Sequence, residues 1–514
     1  MMNALNKLLD FAQAHGLLLA EDRAFGMNAL LNALGLYAPP EDGCEEIAPP
    51  PPTVGPILDE LCNFAIARGI LEDTPYERER FGDHLVSLLL PPPSVIAQRF
   101  HSLYDRSGPA AATAWYYDFC RASNAIRVDS IQKNIGYSAP SPYGKLEITI
   151  NLSKPEKDPR EIARQRSMPS IGYPLCMLCL ENEGYAGRPG YPSHETLRTV
   201  SLKLCGENWR MQYSPYSYYD EHCIVLNEQH IPMVIERKTF ALLLDFVDQF
   251  PEYFLGSNAD LPIVGGSILN HNHFQGGRHI FPLDRAPIIR RLRCKRFPAV
   301  RVGVVKWPMT CLEACCEDPQ QLADFCDALL SYWRTYDDPQ ADILHETQGT
   351  PHNTLTPIAR KEGDCYIMRI VLRNNRITQE HPLGIFHPHA ELHHIKRENI
   401  GLIEVMGLFI LPGRLRDELA GLKGYLTGEK PLTRPTQEDP LFKHFDWIST
   451  LANSYGTALQ EAEAEALLRQ SLCDICTRVL EDAGVFKCTE AGRRALSACL
   501  QGFGLEPVEE ESGK

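Results

Sequence analysis

No apolar run approaches the roughly 20 residues needed to cross a bilayer; stretches such as Ala241 to Leu244 are only a few residues long. No membrane-spanning segment is expected. Basic residues are in deficit, 51 Lys and Arg against 66 Asp and Glu, for a net charge of -15, so a polyanion would first meet a repulsive field. Neither nucleic acid nor an anionic lipid surface is an expected partner, and a phosphorylated ligand would need a local cationic pocket. The first fifteen residues lack the basic-then-apolar profile of a secretory signal. A cytoplasmic chain is expected, in which the 17 cysteines are thiols or metal ligands rather than disulfides. No short internal repeat is visible, and 44% apolar with 23% charged residues excludes disordered and fibrous classes.

What is present is a folded chain of 514 residues, enough for several domains at roughly 100–200 residues each. Residues 1–126 read as helical. Leu5, Leu8, Leu9 and Ala12 make one apolar stripe ending at His15-Gly16, and Ala24 to Leu36 gives a second helix. Pro49 to Pro52 and Pro91 to Pro93 read as stiff polyproline connectors, and the acidic run before the first as a solvated loop. Arg127, Lys133 and Asn134 read as solvated surface. Near residue 145 the character changes: Lys145 to Leu152 alternates strictly, as a strand with one apolar face does. Further strands are expected at Thr199 to Leu204, His222 to Leu226, Val300 to Trp307 and Tyr366 to Arg373, with helices at Glu236 to Phe250 and Pro319 to Tyr336. Beyond Lys443 helix returns, notably Asp446 to Ala483, before a frayed acidic tail from Glu506. The fold class is α/β (α+β), mixed sheets with flanking helical N- and C-terminal regions.

The segment richest in chemistry is Gly265-Gly266-Ser267-Ile268-Leu269-Asn270-His271-Asn272-His273-Phe274-Gln275-Gly276-Gly277. Period-2 spacing on an extended segment sends His271, His273 and Gln275 to one face, and the glycine pairs let backbone N–H groups approach a phosphate. An imidazole attacks phosphorus at neutral pH without prior deprotonation, and a neutral amide donates to a non-bridging oxygen of the transition state. A sugar phosphate leaves as a stable anion, so no general acid is required. Read alone, an H-x-H is as compatible with a polar strand edge. Cys176-Met177-Leu178-Cys179, with His230 and His271, makes a Cys2His2 set that would close a tetrahedral zinc shell with no open position, hence a structural metal. A redox pair or two core thiols are the other readings of that C-x-x-C. Cys473 and Cys476, on one helix face, and the pair Cys315-Cys316 read as core.

The H-x-H-x-Q core with its upstream C-x-x-C and intervening histidine resembles the galactose-1-phosphate uridylyltransferase family of the histidine-triad superfamily. Longer stretches, Tyr143 to Pro155, Glu181 to Arg188, Gln212 to Tyr216 and Ser257 to Pro262, resemble its long bacterial type 2 branch, over about residues 127 to 415. The resemblance implies a duplicated histidine-triad-like fold, with halves at 127–290 and 291–440 between helical regions 1–126 and 441–514. It implies that His273 is the nucleophile that becomes uridylylated and that Gln275 steadies the uridylyl phosphate. By the same resemblance Cys176, Cys179, His230 and His271 hold zinc, and Asn258 and Ser267 contact phosphate. The cluster Phe386 to His394 resembles the second half, with His387 and His389 as ligands to a second metal ion and Lys396 or Arg397 reaching substrate phosphates. The reaction implied is a ping-pong exchange of UMP between UDP-glucose and hexose 1-phosphates, in a homodimer. Two other readings stay open, an adenylyl-transferring nucleotide phosphorylase of the same superfamily and a non-catalytic zinc-stabilised binding protein.

Overall fold

The computed structural model describes residues 1–40, 50–153, 171–266 and 268–508. The acidic run before Pro49, residue Ser267 and the last acidic residues of the tail therefore lie outside the described residues. The chain divides into two compact units, the first comprising Met1–Lys133, Ser153–Pro232 and Asn270–Arg278, the second Asn134–Leu152, Met233–Leu269 and His279–Lys514. Among the described residues no helix is long and apolar enough to cross a membrane, and the cysteines are free thiols.

In the first unit the apolar stripe behaves as its spacing predicts: Leu5, Leu8, Leu9 and Ala12 are buried on the helix Met2–Ala14. The second helix is Arg23–Ala33. Pro91 to Pro93 is a helix start rather than a connector. Pro93 opens the helix Pro93–Ser107, where its missing N–H costs nothing because the first turn has no acceptor for it. Thr74 begins the helix Pro75–Ser87 by accepting the Glu77 N–H at 3.2 Å, a cap that satisfies one of the orphan donors. Arg127 departs from its surface reading. Its guanidinium grips Asp83, which is fully buried, and Glu79 at 3.0 Å, while its N–H donates to the Pro215 carbonyl at 2.9 Å.

Numbering strands along the whole chain, the sheet of this unit holds β3 (Val200–Leu204), β4 (Glu207–Tyr213), β5 (Cys223–Asn227) and β7 (His273–Gly277), in the order β3-β4-β5-β7 and antiparallel throughout. A two-residue loop, Cys205-Gly206, joins β3 to β4 with positive φ at both positions, +48° and +82°, the backbone that matches the natural twist of a hairpin. Tyr116, from the helix Pro109–Ala122, donates its hydroxyl to the Arg198 carbonyl at 2.5 Å, so the helical layer is tied to the sheet by a buried hydrogen bond as well as by apolar contact.

The second unit contains the hairpin β1 (Ile135–Ser141) and β2 (Gly144–Asn151), with β15 (Leu408–Pro412) parallel to β2. The alternation at Lys145 to Leu152 is realised, with Leu146, Ile148 and Ile150 buried. A second sheet runs β16-β8-β9-β10-β14-β13-β6, formed by β6 (Phe254–Gly256), β8 (Ile288–Cys294), β9 (Arg301–Val305), β10 (Cys311–Cys316), β13 (Asn353–Glu362), β14 (Cys365–Asn374) and β16 (Leu505–Pro507). The short β11 (Glu346–Thr347) and β12 (Thr350–Pro351) form a separate hairpin. Glu506 and Pro507, expected to fray, are instead held with Leu505 by antiparallel pairing with β8.

Setting aside the short hairpin β11–β12, which falls between helix and strands in the second pass, one element order occurs twice along the chain: three strands, a helix, two strands. The first pass is β3, β4, β5, the helix Arg237–Gln249, β6 and β7; the second is β8, β9, β10, the helix Pro319–Trp333, β13 and β14. Both helices are amphipathic, burying Phe240, Leu243, Leu244 and Val247 in one and Leu322, Phe325, Cys326 and Leu329 in the other. The C-terminal stretch Asp446 to Ala483 is two helices, Phe445–Tyr455 and Glu461–Ala483. Gly456 breaks it with φ +90°, a conformation only glycine adopts without strain. The two helices share a core with the helix Leu415–Thr427 through Leu422, Leu426, Ile448, Leu451 and Leu468.

Candidate active site

Strand β7 sits beside β5 with His273 opposite Leu226, Phe274 opposite Val225 and Gln275 opposite Ile224. Alternation along β7 follows the expected period. Phe274 is buried and stacks on Trp209 with ring centroids 5.0 Å apart, while His273 and Gln275 take the opposite face. His271 departs from that expectation, because it lies in the bend before the strand rather than within it. Asn272 fixes the bend from both sides, donating its N–H to the Ile231 carbonyl at 2.6 Å and accepting the Asn227 N–H at 3.0 Å.

This bend turns the His271 ring toward the C-x-x-C turn. Cys176 Sγ lies 3.3 Å and Cys179 Sγ 3.7 Å from His271 Nδ1, Cys179 Sγ lies 3.1 Å from His230 Nδ1, and the sulfurs are 3.5 Å apart. All four ligand atoms fall within 4.8 Å of one another and could hold a metal ion. The tautomer of His271 suits the role. Its Nε2 is 2.8 Å from the Asn227 carbonyl and must donate to it, leaving the Nδ1 lone pair facing the thiols. Burial works to raise the Cys176 thiol, but its contact with the His271 ring and the hydrogen bond from the Leu178 N–H outweigh it and draw that thiol below its ordinary range. Two sulfurs and two imidazole nitrogens at these separations match a tetrahedral ion of zinc type, with Zn–S about 2.3 Å and Zn–N about 2.0 Å.

His273 is the next polar group along the strand, 6% exposed. Its Nδ1 lies 2.7 Å from the His271 carbonyl, which requires Nδ1 to carry the proton and leaves Nε2 as a lone pair with no hydrogen-bond partner among the described residues. Burial pushes its pKa down to about 4, so the ring is neutral at physiological pH. Gln275, half-buried two residues on, has its Oε1 3.3 Å from His222 Nε2. His222 is a residue that sequence spacing did not single out. It lies 53 positions upstream and is brought to Gln275 by the β5–β7 pairing alone. Gly265 does not offer its face to a ligand, since a Cβ there would meet the Ala259 carbonyl oxygen at 2.3 Å; that glycine serves the packing of its own loop.

Of the other predicted residues, Ser267 lies outside the described residues. Asn258, in the second unit, is buried and accepts the Leu402 N–H at 2.9 Å. Lys396 is 5% exposed and ion-paired with Glu404 at 2.8 Å; burial works against its charge, but the Glu404 carboxylate outweighs burial and keeps it charged, while Arg397 is exposed. His387 and His389 turn ring nitrogens to the carbonyls of Pro388 and Ile385, each at 3.1 Å. Among the described residues neither belongs to a group that could converge on a metal ion, so the second metal finds no ligand set there.

Two family models match the chain, the N-terminal domain of galactose-1-phosphate uridyl transferase over residues 53–232 and its C-terminal domain over residues 246–428. A galactose-1-phosphate uridylyltransferase of Caldanaerobacter subterraneus subsp. tengcongensis is 45% identical over 98% of both chains. The chain belongs to the galactose-1-phosphate uridylyltransferase family. Galactose-1-phosphate uridylyltransferases of Clostridium acetobutylicum, 44% identical over 96% of this chain and 97% of that one, and Bacillus subtilis, 42% identical over 98% of both, are further relatives. The family match covers the C-x-x-C turn, His230, His271, His273 and Gln275 alike, so the metal group and the His273 imidazole are parts of one family domain pair. A solved structure of a DUF4931 family protein from Bacillus cereus is similar at 15% identity over 33% of this chain, with a TM-score of 0.24, too low to bear on fold or function.

Proposed function

We propose that the chain is a UDP-glucose–hexose-1-phosphate uridylyltransferase that exchanges UMP between UDP-glucose and galactose 1-phosphate through a covalent uridylyl-His273. The observation that carries this reading is the free Nε2 lone pair that the His273 tautomer leaves, fixed by donation of Nδ1–H to the His271 carbonyl at 2.7 Å. Nε2 attacks the α-phosphorus, the N–P bond forms, and the bond to glucose 1-phosphate breaks with its electron pair leaving on that phosphate. As the ring gains positive charge the Nδ1–H···O=C bond strengthens, and the Gln275 amide donates to a non-bridging oxygen. Galactose 1-phosphate then attacks, the P–N bond breaks, UDP-galactose leaves and His273 regains its lone pair.

The Cys2His2 group is assigned to zinc. With four protein ligands it offers no open position and does no chemistry on substrate; its part is to hold the His271 peptide whose carbonyl orients His273. On the family resemblance, Asn258, Ser267, Lys396 and Arg397 are assigned to phosphate contacts. The twofold order of elements supports a duplicated family fold; on the resemblance its halves are assigned to 127–290 and 291–440, although β8, Ile288–Cys294, opens the second pass across that boundary. On the family resemblance we place the enzyme in the cytoplasm as a homodimer.

The test is intact mass after incubation with UDP-glucose and no acceptor, at neutral or alkaline pH because phosphoramidates of histidine are acid-labile. A uridylyl adduct on His273 with release of glucose 1-phosphate, both absent in H273A, is the expected result. An adduct elsewhere, or labelling only by adenine nucleotides, overturns the proposal.

A further inference from the structure

His222 precedes β5, and the register that sets Cys223 opposite Gly276 sets His222 opposite Gly277, two residues beyond Gln275. Diagonal neighbours of this kind share one face of a sheet, so His222 and Gln275 are brought together by strand pairing. The loop that aims His222 is tightly held. Its N–H donates to the Tyr219 carbonyl at 3.2 Å, its ring lies 4.4 Å from the Tyr219 ring, and the Tyr219 hydroxyl donates to the Gly276 carbonyl at 3.2 Å. Gly277 allows that closure. Its φ is +155°, and a Cβ would meet Tyr219 Cε2 at 2.7 Å and the Glu221 carbonyl oxygen at 2.9 Å.

His222 is 3% exposed and its Nδ1 has no hydrogen-bond partner among the described residues. Burial pushes its pKa down to about 4, so it carries one ring N–H. Two arrangements are conceivable. With the proton on Nε2, it donates to Gln275 Oε1 at 3.3 Å, only a lone pair is left unpartnered, and the Gln275 –NH2 faces outward. With the proton on Nδ1, a buried donor is orphaned and Gln275 must turn its carbonyl oxygen outward. An orphaned N–H costs more than an orphaned lone pair, so the first arrangement holds.

Resting on the reading of Gln275 as the phosphoryl donor, we infer that His222 is a positioning residue for uridylyl transfer. It never touches substrate. By occupying Gln275 Oε1 it denies that amide the orientation in which its oxygen would oppose a phosphoryl oxygen, and it keeps a donor aimed where charge develops.

The experiment measures single-turnover formation of uridylyl-His273 at saturating UDP-glucose, with KM, metal content and melting temperature, for H222F, H222Q, Q275A and H222F/Q275A. Phe keeps the ring against Tyr219 and removes the N–H; Gln restores an N–H at similar reach. Loss of a phosphoryl donor is worth on the order of 10²–10³ in rate, and Q275A is expected in that range. H222F is expected to slow the step by on the order of tenfold or more with KM changed less than about twofold, H222Q to recover to within about threefold, and H222F to add nothing in the Q275A background. Wild-type rates in H222F, an equal loss in the Q275A background, or no recovery in H222Q would each overturn the inference while leaving His273 chemistry intact. Wild-type rates in Q275A would remove the role of Gln275 and this inference together. Should H222F not fold, the pair H222Q and H222M makes the same comparison, since Gln carries the N–H and Met does not.

Discussion

Removing Arg127 should uncover how strongly one buried ion pair binds the helical layer of the first unit. Asp83, on the helix Pro75–Ser87, is 0% exposed and receives both Arg127 Nη1 and Nη2, the latter at 2.6 Å; its other donor is Asn124 at 3.2 Å. In R127A the carboxylate stays buried with a single neutral donor, and breaking a buried pair from one side costs about 3–5 kcal/mol. At about 2–4 °C per kcal/mol for a unit of this size, the melting temperature should fall by at least about 6 °C. The control is R121A, because the Arg121–Asp118 pair is 3.7 Å apart with side chains 49% and 77% exposed, and such pairs contribute less than about 1 kcal/mol. Replacing both buried partners, as in R127M/D83L, should recover much of the loss, since no charge is then stranded. Scanning calorimetry and far-UV circular dichroism read the shift. If R127A melts within about 1 °C of R121A, the pair is solvated and the reasoning fails.

Burial, with the charge of Arg127 beside it, pushes His194 down to about 4. The unfolded chain takes up a proton there near pH 6.5 while the folded chain refuses it until about pH 4, so stability falls as pH drops through that window; melting of H194N between pH 7.5 and 4.5 should fall less steeply than wild type. F274A removes the ring stacked on Trp209 and should lose about 3–5 kcal/mol in denaturant melts, with F274L losing far less. Stripping metal with a strong chelator should release about one zinc per chain in a colorimetric assay and lower the melting temperature before it slows the protein that stays folded; C179A should purify without metal, and full metal content in C179A would exclude the Cys2His2 assignment.

Local signals carried well into the fold. The stripe Leu5, Leu8, Leu9 and Ala12 gave a helix, and the alternation at Leu146, Ile148 and Ile150 gave a strand, because each pattern reports one buried face. The C-x-x-C and its two distant histidines did come together, their residue types limiting what they can do when buried side by side. Features that depend on pairing between distant segments were not legible. Nothing adjacent to His222 announces Gln275, and Arg127 reads as surface until Asp83, 44 positions upstream, is seen beneath it. Pro93 misled because proline opens helices as readily as it stiffens connectors, and the break at Gly456 was hidden inside a helical composition.

The twofold order of strands and helices makes unequal demands on its two passes. In the first, β7 carries His273 and Gln275, and their alternation cannot drift without ending the chemistry proposed for them. In the second, β14 places Arg369 against Asp284 at 2.6 Å and Glu313 at 2.8 Å, and sets Arg373 on the Ile400 carbonyl at 2.9 Å. These arginines answer only to their partners. Asp284 also holds Arg360 at 2.7 Å, so a concerted exchange of Arg369 and Arg360 with Asp284 and Glu313 is open to evolution, where an exchange at His273 is not. Across a deep set of variants, β14 should change in concert with its neighbours while β7 stays fixed, so that one architecture records both a constrained and a permissive history.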